Sequence, residues 1–426
     1  MKRKKIIVVG AGPKALALAA KNTALERIGI AVPEMLILEK NGIAAHWKGN
    51  SGYTNGRLTL GTSPEKDVGF PYQTSMFSHD VNESLNREMF RFSWTQHLIS
   101  TNRYSDWVDR GRPAPTHKQW ADYLCAVAQL FSPSVKIVRA EVTNFSLHDN
   151  HVEVKYLDCE KNSQSVIGDG LVLTGPGKQK LSFEVPQDPR VMTLENFWKN
   201  LGSFNDTNPI KIAVVGNGEN AASMLLALLE LGHPGIELDL ISPVGMIYSR
   251  GESFFENRVY SNPDNANWKD LEQQHRKEFV RRTDLGVFSL AAVQKLNSAV
   301  QLKIVQGSVS KVLTHEDRVE IEVDYNNRKQ VRRYDKVVLA TGFDQAQFLK
   351  SFLDQRSQQQ LEQRLDIPEI LSEPLSMRIG EDLSLQGLTP RLHLPMLSGI
   401  RQGPGFANLS CLGTLSDRIL SSYIAL

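Results

Sequence analysis

The chain has 426 residues, of which 41% are hydrophobic and 23% are charged, an ordinary globular composition that is long enough for two or three domains. Its 49 Lys and Arg against 47 Asp and Glu leave a net charge of +2, which gives no electrostatic reason to expect nucleic acid or an anionic membrane as a partner. Three distant cysteines, Cys125, Cys159 and Cys411, form neither a disulfide framework nor a metal-ligand spacing, so a reducing compartment is favoured.

The basic start, "MKRKK", resembles the first part of a signal peptide. Only "IIVV" follows it before a glycine-rich turn, and no small-residue cleavage site comes next. No apolar run approaches the length of a membrane span. The sequence therefore predicts a cytoplasmic, enzyme-sized protein without a membrane or nucleic-acid partner.

The first predicted elements are a strand, a glycine-rich turn and an Ala/Leu-rich helix, in "KKIIVVGAGPKALALAAKN". Gly10 permits the tight turn, Gly12 lets a pyrophosphate approach the backbone, and Ala15 lets the helix pack close to the strand. The start of the helix, at Pro13, then faces the phosphates. This pattern is typical of a dinucleotide site.

The next predicted strand, "EMLILEK", ends in Glu39 and Lys40. A carboxylate at this place accepts hydrogen bonds from ribose hydroxyls, so both residues join the predicted cofactor site. The separation from Gly10 is longer than the usual ~20 residues. The stretch "ERIGIAVP" predicts an extra loop that accounts for the difference.

A second copy of the pattern is "PIKIAVVGNGENAASMLLALLELG", with Gly216, Gly218 and Ala221 in the three small positions and Glu219 and Asn220 at the start of the helix. The strand after it, "IELDLIS", ends in a serine rather than an acid, and an arginine follows after a short loop. A missing carboxylate removes repulsion of a ribose phosphate, which favours NADP over NAD. The residues predicted to bind that phosphate are Ser242 and Arg250.

For either loop alone, a tight turn without a ligand is a real alternative. Two complete copies predict two dinucleotides, one of them FAD. The stretches "DKVVLATGFD" and "GLVLTGPG" are typical of strands that link two nucleotide domains, although ordinary buried strands have the same pattern. The predicted fold is α/β with two Rossmann-like domains, the FAD domain interrupted by the NADPH domain. The predicted boundaries are 1–190 and 336–426 for FAD and 191–335 for NADPH.

The sequence lacks the residues that several kinds of enzyme chemistry require. The sequence has no Cys-x-x-Cys for a dithiol reductase, no G-x-S-x-G nucleophile turn, and no metal spacing among its histidines, so no resident metal is predicted. Flavin monooxygenation is then the leading reaction: NADPH reduces the flavin, which takes up O2 as a hydroperoxide for a substrate nucleophile. The cofactor carries the difficult step, so no catalytic side chain is predicted.

Six segments carry a family resemblance over nearly the whole chain: "GAGPKALALAAK", "LGTSPEKDVGFPY", "DRGRPAPTHKQWADYL", "RGESFFENRVYSNP", "RRTDLGVFS" and "GPGFANLSCLGTLSDRIL". With them the chain resembles the siderophore-pathway amine N-hydroxylases, the lysine and ornithine N-monooxygenases. Within that family it is most similar to the mycobactin-type lysine N-hydroxylases. The resemblance implies FAD, NADPH, O2 and a small amino-acid substrate.

The resemblance also implies roles for individual residues. Lys66 falls on the lysine that binds the substrate carboxylate, Asn257 on an asparagine that contacts the amino acid, and Ser410 on a serine near the reactive amine. Two positions depart from the ornithine enzymes, which have glutamine in place of Gly61 and asparagine in place of Asp284. The implied flavin contacts are Trp47, Gly61, Asn408 and Leu409.

Each of these roles has a physical alternative. For Lys66 the alternative to substrate binding is a solvated ion pair with Glu65 or Asp67. Asn257 or Asp284 is a candidate acceptor for the substrate's α-ammonium, and an N-cap is the alternative for Asp284. The reacting amine must be neutral although its solution pKa is about 10.4, and the sequence identifies no base for it.

The aromatic residues of "GFPY" and "FFEN" are candidates for apolar walls that exclude water, with plain core packing as the alternative. The predicted function is hydroxylation of the side-chain amine of free L-lysine, with L-ornithine second, in siderophore-type hydroxamate synthesis. A Baeyer–Villiger or S-oxygenating monooxygenase and a degenerate flavoprotein that serves as an assembly partner are the other hypotheses. A homo-oligomer is left open.

Overall fold

A computed structural model describes residues 3–50, 52–204 and 209–424 of the chain. The β-strands are β1 (Lys5–Val9), β2 (Glu34–Glu39), β3 (Val135–Arg139), β4 (Glu141–Leu147), β5 (Val152–Leu157), β6 (Ser163–Gly168), β7 (Gly170–Leu173), β8 (Lys178–Gln179), β9 (Val191–Met192), β10 (Ile210–Val215), β11 (Ile236–Ser242), β12 (Leu302–Gln306), β13 (Ser308–Thr314), β14 (Val319–Tyr325), β15 (Arg328–Tyr334), β16 (Lys336–Leu339), β17 (Phe343–Asp344) and β18 (Arg391–His393).

The α-helices are α1 (Pro13–Arg27), α2 (His79–Phe90), α3 (Trp94–Ser100), α4 (Tyr104–Asp109), α5 (His117–Ala128), α6 (Leu194–Lys199), α7 (Glu219–Glu230), α8 (Phe254–Ser261), α9 (Gln273–Thr283), α10 (Leu290–Leu296), α11 (Gln345–Phe352), α12 (Gln355–Leu365), α13 (Ser372–Ser376), α14 (Pro404–Ala407) and α15 (Leu412–Leu420). Short 3₁₀ helices lie at Ala45–Trp47, Leu201–Phe204, Asp264–Ala266, Trp268–Asp270 and Pro395–Leu397. Within the described residues, no helix has both the length and the hydropathy needed to cross a bilayer.

The first unit is built on a parallel sheet with the strand order β18-β7-β1-β2-β3. Its central strand β1 is an apolar, β-branched run, as expected for a strand covered on both faces. The small residues of α1 let this helix pack deeply, and it is buried from Pro13 to Leu25. Lys21 on α1 and Asp417 on α15 form a buried ion pair at 2.7 Å that joins the start of the chain to its last helix.

The second unit repeats this architecture. Its parallel sheet has the order β12-β11-β10-β16-β9, and α7 follows β10 directly. An antiparallel sheet accompanies each unit, β4-β5-β6 beside the first and β13-β14-β15 beside the second. The prediction of an α/β chain with two Rossmann-like sheets is confirmed.

The chain crosses between the units twice, and the two crossings meet in a short antiparallel ladder of β8 and β17. Strand β9 opens the second sheet at Val191, where the predicted boundary lies. Strand β16 pairs with β10, so the second sheet continues through Leu339, past the predicted boundary at residue 335. We propose that the interrupting unit runs from 191 to 339 and that 340–342 form the return linker.

Helices α8 and α9 belong to the second unit in sequence but dock on the first in space. The Trp268 indole donates to the carbonyl of Ile400 at 3.1 Å, and Arg418 donates to the carboxylate of Asp264 at 2.6 Å. These two contacts are made by the 3₁₀ helices that follow α8. Helix α8 itself packs on α14 of the first unit, and its residue Asn257 lines the space between the two units.

Candidate functional site

A cavity of about 760 Å³ lies where the first unit, the second unit and α8 meet. Of the predicted site residues, those that line it are Gly10, Gly12, Pro13, Glu39, Trp47, Gly61, Lys66, Glu219, Asn220, Arg250, Asn257, Asp284, Asn408, Leu409 and Ser410. Those that do not line it are Ala15, Lys40, Gly216, Gly218 and Ser242. The four predicted substrate contacts therefore share one cavity with the starts of α1 and α7.

The first glycine loop is shaped for a dinucleotide. Gly10 has a φ of +94°, and a Cβ added there would lie 2.7 Å from Thr174 Oγ1, so glycine is required. A Cβ added at Gly12 would meet nothing within 4 Å, which leaves the backbone open to a pyrophosphate at the start of α1. Ala15 is fully buried beneath the loop. These residues fit FAD.

Glu39 holds the same loop in place. Its carboxylate accepts hydrogen bonds from the amides of Ala11 at 2.8 Å and Asn41 at 2.6 Å, and it faces the cavity, where it can also accept from a ribose. The side chain of Lys40 points away and pairs with Glu141 at 2.7 Å on the surface. Lys40 does not line the cavity, and its cofactor contact stays a prediction.

The irregular segment from Gly61 to Tyr72 is anchored by one buried carboxylate. Asp67 is 2% exposed and accepts from the amide of Trp94 at 2.8 Å, the hydroxyl of Tyr72 at 2.7 Å and the amide of Gly69 at 3.0 Å. Burial raises the pKa of Asp67 to about 6 although these hydrogen bonds favour its charged form. The segment is thus a fixed wall rather than a solvated connector.

Lys66 faces the other way, into the cavity. Its Nζ donates to Asn257 Oδ1 at 2.8 Å, while Glu65 accepts from Ser63 Oγ at 2.8 Å. The alternative of an ion pair with Glu65 or Asp67 is therefore wrong. Burial, and then the positive charge of Arg250, lowers the pKa of Lys66. Within the described residues no carboxylate lies at ion-pair distance from its ammonium, so its charge is left for a ligand.

The first turn of α8 fixes the orientation of the Asn257 side chain. Ser253 and Glu256 form a reciprocal capping box there, which fixes the first turn. The Asn257 side-chain amide donates to the carbonyls of Glu252 at 2.7 Å and Ser253 at 3.1 Å, leaving its oxygen for Lys66. Asn257 therefore links the second-unit wall of the cavity to the first.

Asp284 follows the last residue of α9, so it is a C-cap residue, and the N-cap alternative is wrong. The N-cap of α10 is Ser289 instead. Burial raises the pKa of Asp284, and the charges of Arg250 and Lys14 oppose that rise. In the part of the chain that the structure describes, its carboxylate makes no hydrogen bond or ion pair, although it lines the cavity.

The second glycine loop has the same backbone form as the first. Gly216 has a φ of +138°, and Gly218 is the N-cap of α7. Residues that follow Asp284 lie across it. The Asn217 side-chain amide reaches the carbonyl of Gly286 at 3.5 Å, and the Ser289 amide donates to Glu219 Oε1. The loop fits a second dinucleotide, but a carboxylate and a covering segment occupy the approach to the helix start.

The predicted phosphate pair is not assembled. Ser242 is fully buried, and its hydroxyl accepts from the amide of Val244 at 3.2 Å. Arg250 instead crosses the cavity to the carbonyl of Gly61 at 2.5 Å and pairs with Glu252 at 2.9 Å. The backbone amide of Arg250 donates to the carbonyl of Phe288 at 2.8 Å, so a contact with a segment distant in sequence positions the backbone from which this side chain extends.

The remaining flavin contacts implied by resemblance, Trp47, Asn408 and Leu409, all line the cavity. The Ser410 amide donates to Asn408 Oδ1 at 2.9 Å, a local bond that bends the segment toward the cavity. Trp47 lies edge-on to His117, with ring centroids 4.8 Å apart. Phe254 and Phe255 are 72% and 77% exposed and do not line the cavity, so both the apolar wall and the core-packing alternative are wrong for these two residues. Phe70 and Tyr72 of "GFPY" do not line the cavity either.

Sequence reasoning missed Lys14. This residue is 7% exposed, lines the cavity, and donates from Nζ to the carbonyl of Ala407 at 2.8 Å. Burial lowers its pKa to about 8. The available signal was a lysine inside the first glycine motif, at a position where only backbone and small side chains were expected to matter.

Known proteins are similar to this chain over most of its length. Residues 76–345 match the family model described as L-lysine 6-monooxygenase/L-ornithine 5-monooxygenase. The chain is 37% identical to the L-lysine N6-monooxygenase MbtG of Mycobacterium tuberculosis, over 98% of this chain and 95% of that protein. The structure is similar to the lysine monooxygenase NbtG of Nocardia farcinica, with a TM-score of 0.83 and 35% identity over 98% of each chain.

An ornithine N-hydroxylase of Kutzneria sp. 744, described with reduced FAD, NADP+ and L-ornithine, has a TM-score of 0.73 and 19% identity over 99% of each chain. At this identity the likeness shows a shared fold and no more. The two more similar proteins each match 98% of this chain, whereas the family model begins at residue 76, after the first glycine loop and Lys66.

Proposed function

The chain belongs to the L-lysine 6-monooxygenase/L-ornithine 5-monooxygenase family, and from this premise we propose that it hydroxylates the side-chain amine of free L-lysine with FAD, NADPH and O2. The product is a hydroxylamine suited to hydroxamate groups of a siderophore. Reduced flavin supplies the activated oxygen when it is bound. One observation carries the proposal: a half-buried lysine, Lys66, with no acidic partner among the described residues, faces the cavity that both glycine loops adjoin.

In this proposal the first glycine loop and Glu39 hold FAD, and the second loop holds NADPH. Gly10 and Gly12 keep the backbone free for the FAD pyrophosphate, and Glu39 takes ribose hydroxyls. Gly216 and Gly218 serve NADPH in the same way. The residues proposed to lie against the flavin are Trp47, Gly61, Asn408 and Leu409.

Lys66 binds the substrate carboxylate as a half-buried point charge. Its existing partner, Asn257 Oδ1, is neutral, so a carboxylate that joins them adds a charge-assisted hydrogen bond without displacing an anion. A carboxylate ligand also favours a free amino acid over one esterified to a carrier protein. Ser410, beside Asn408, is proposed to lie near the amine that reacts.

The proposal is tested with purified protein, FAD, NADPH and a panel of L-lysine, L-ornithine, 1,5-diaminopentane and a neutral sulfide. Hydroxylamine is measured directly, because NADPH is also consumed when hydrogen peroxide is released without hydroxylation of the substrate. We expect hydroxylamine from L-lysine above all others. If lysine and ornithine gave only hydrogen peroxide, or if the sulfide were oxygenated instead, the proposal would be wrong.

A further inference from the structure

Two segments that meet at the cavity are joined by three side-chain hydrogen bonds. One is the irregular wall from residue 61 to 73, and the other runs from 250 to 262 and carries α8. The bonds run from Arg250 Nη2 to the carbonyl of Gly61 at 2.5 Å, from Lys66 Nζ to Asn257 Oδ1 at 2.8 Å, and from Asn262 Nδ2 to Gln73 Oε1 at 3.1 Å. The partners are 189, 191 and 189 residues apart in sequence, so the two segments run parallel and in register. We call this set of contacts the seam.

The proposal above uses only the middle contact of the seam, between Lys66 and Asn257. Gln73 and Asn262, which form the last contact, do not line the cavity, so a bound substrate does not touch them. Gln73 is exposed and Asn262 is half-buried. Water is available to both amides, so the bond between them orders the two segments rather than satisfying buried polar groups.

The segment that carries α8 orients its own seam residues. Arg250 Nε pairs with Glu252 at 2.9 Å, and the carbonyl of Glu252 accepts from Asn257 Nδ2 at 2.7 Å. Asn262 is the C-cap of α8, and its Oδ1 accepts from the amide of Asn265 at 3.2 Å, which leaves its Nδ2 for the wall. The three side chains are therefore held in position by their own segment as well as by the seam.

The separation of the two segments decides how the head group of an amino acid is held. The α-carboxylate and α-ammonium sit on one carbon, so Lys66 Nζ and Asn257 Oδ1 can serve both only at one separation. The side chain of Lys66 is a flexible four-carbon stem, and its bond to Asn257 alone does not fix that separation. The contacts at Gly61 and Gln73 lie on either side of Lys66 along the wall and restrict it. A misplacement of about 1 Å at such a site can cost ~100-fold in rate.

We propose that the outer contacts of the seam, above all the Gln73–Asn262 bond, hold Lys66 and Asn257 at the separation that an α-amino acid head group requires. Gln73 and Asn262 are then positioning residues, which act through Lys66 and Asn257 without contacting the substrate. The seam makes the site selective for ligands that carry both an α-carboxylate and an α-ammonium. This inference rests on the proposed function, since it needs the amino acid to bind at Lys66.

The test exchanges amides for carboxylates at the Gln73–Asn262 contact. In Gln73→Glu the new carboxylate still accepts from Asn262 Nδ2, and in Asn262→Asp the Gln73 amide can turn and donate to the new carboxylate. Each single change therefore keeps a bond, whereas the double variant Gln73→Glu/Asn262→Asp places two carboxylates against each other. Asn162→Asp is the matched control, because Asn162 donates to Glu160 at 3.3 Å on an exposed turn and the change sets two carboxylates together there. Flavin content and thermal unfolding are measured first.

Two ligands that each share part of the structure of lysine are then compared. L-Norleucine has the α-carboxylate and α-ammonium without a side-chain amine, and 1,5-diaminopentane has two amines without a carboxylate. Each is measured as a competitive inhibitor of hydroxylamine formation from L-lysine. For the double variant we expect KM for L-lysine and Ki for L-norleucine to rise about tenfold, since a neutral hydrogen bond contributes roughly two- to tenfold and repulsion adds to its loss. The kcat and the Ki for 1,5-diaminopentane should change less than about twofold, and the single variants and Asn162→Asp should match the unsubstituted protein.

If the double variant does not fold or load flavin, Gln73→Ala replaces it at an exposed residue and should raise the same two constants about threefold. Unchanged constants, equal losses for L-norleucine and 1,5-diaminopentane, or a single variant as impaired as the double variant would each overturn the inference. All three results leave the proposed function standing. If the unsubstituted protein forms no hydroxylamine from L-lysine, the proposed function fails and the inference fails with it.

Discussion

The two glycine loops follow one sequence rule, Gly-x-Gly with alanine in the third small position, but they meet different surroundings. At Gly12 an added Cβ would find nothing within 4 Å, whereas at Gly218 it would lie 3.9 Å from the amide of Gly286. The first loop opens directly on the cavity. The second carries an acidic residue at the start of its helix, held by a segment that crosses it.

This difference shows what the motif does and does not specify. The glycines fix the backbone turn in both units, since Gly10 and Gly216 both have positive φ. Whether a ligand has free access depends on chain segments far away in sequence, here the residues from Asp284 to Ser289. We therefore expect changes in the first loop to act on flavin loading and changes in the second to act on NADPH alone.

The largest expected effect is that of Gly12→Val. The residue has a φ of −86°, so the apoprotein tolerates a side chain there, but the methyl groups fill the space open to a pyrophosphate. We expect flavin occupancy to drop more than about 100-fold while the protein stays folded, since an N-cap change costs only ~1 kcal/mol of stability. Absorbance of the purified protein and thermal unfolding measure the two quantities.

Gly202→Val is the matched control, because a Cβ at Gly202 also meets nothing within 4 Å and the residue lies outside the cavity lining. It should keep full flavin content. A Gly12→Val protein that loads FAD normally would mean that the opening at this loop is not the pyrophosphate site, and the contrast between the loops would disappear.

The next effect is that of Lys66→Ala, which removes the cation that joins the two walls. A lost hydrogen bond to a charged group typically costs ~1.5–3 kcal/mol, or roughly 10- to 150-fold. We expect kcat/KM for lysine to fall by about 50-fold through KM, with flavin reduction by NADPH retained. Lys118→Ala, at an exposed lysine that pairs with Asp122 at 2.8 Å, should change neither. Loss of flavin from Lys66→Ala would instead make Lys66 a cofactor or folding residue.

Gly218→Val tests the same comparison at the second glycine loop. The added side chain meets the Gly286 backbone and narrows the approach to α7. We expect FAD content to be unchanged and flavin reduction at limiting NADPH to slow about tenfold, a loss of ~1.4 kcal/mol in apparent affinity. Rapid-mixing absorbance under anaerobic conditions measures it. A loss of FAD as large as the loss in the rate of flavin reduction would show that the two sites do not act separately.

Much of the fold was predictable because its signals are local. The strand ends at Glu39 and Ser242 and the turns at Gly10 and Gly216 are set by apolar runs and glycine positions. The boundary near residue 335 was less predictable, since pairing of β16 with β10 is a contact between distant segments. Sequence pattern marks where a strand is and leaves open which sheet it joins.

The site was predictable only in part, for the same reason. Family resemblance brought Lys66 and Asn257 forward, and their side chains bond across 191 residues of sequence. The direction of the Arg250 side chain was not predictable, because the Arg250 amide pairs with the carbonyl of Phe288 in a distant segment, and its phosphate contact stays a prediction. Lys14 was missed because burial decides its importance, and a lysine in a phosphate-binding motif is ordinarily assumed to be solvated.

The smallest expected effect, that of Glu219→Gln, tests the negative charge that distinguishes the second loop. Burial raises the pKa of Glu219, and Arg250 opposes the rise. A carboxylate at a helix start competes with phosphates for the same positive end of the dipole, an effect of ~0.3–1 kcal/mol. Glutamine keeps an oxygen for the Ser289 amide but removes the charge. We therefore expect KM for NADPH to fall about threefold, measured by steady-state kinetics at fixed lysine.

The same argument gives a sign for pH. A raised pKa means that Glu219 takes up a proton at a higher pH than a solvated glutamate, so NADPH affinity should rise as pH falls through that pKa, and Glu219→Gln should abolish this dependence. Glu230→Gln, at the far end of α7, is the control and should leave KM for NADPH unchanged. If Glu219→Gln raised KM for NADPH instead, the Glu219 carboxylate would help to position the ligand. The second loop would then differ from the first in the segment that covers it and not in its charge.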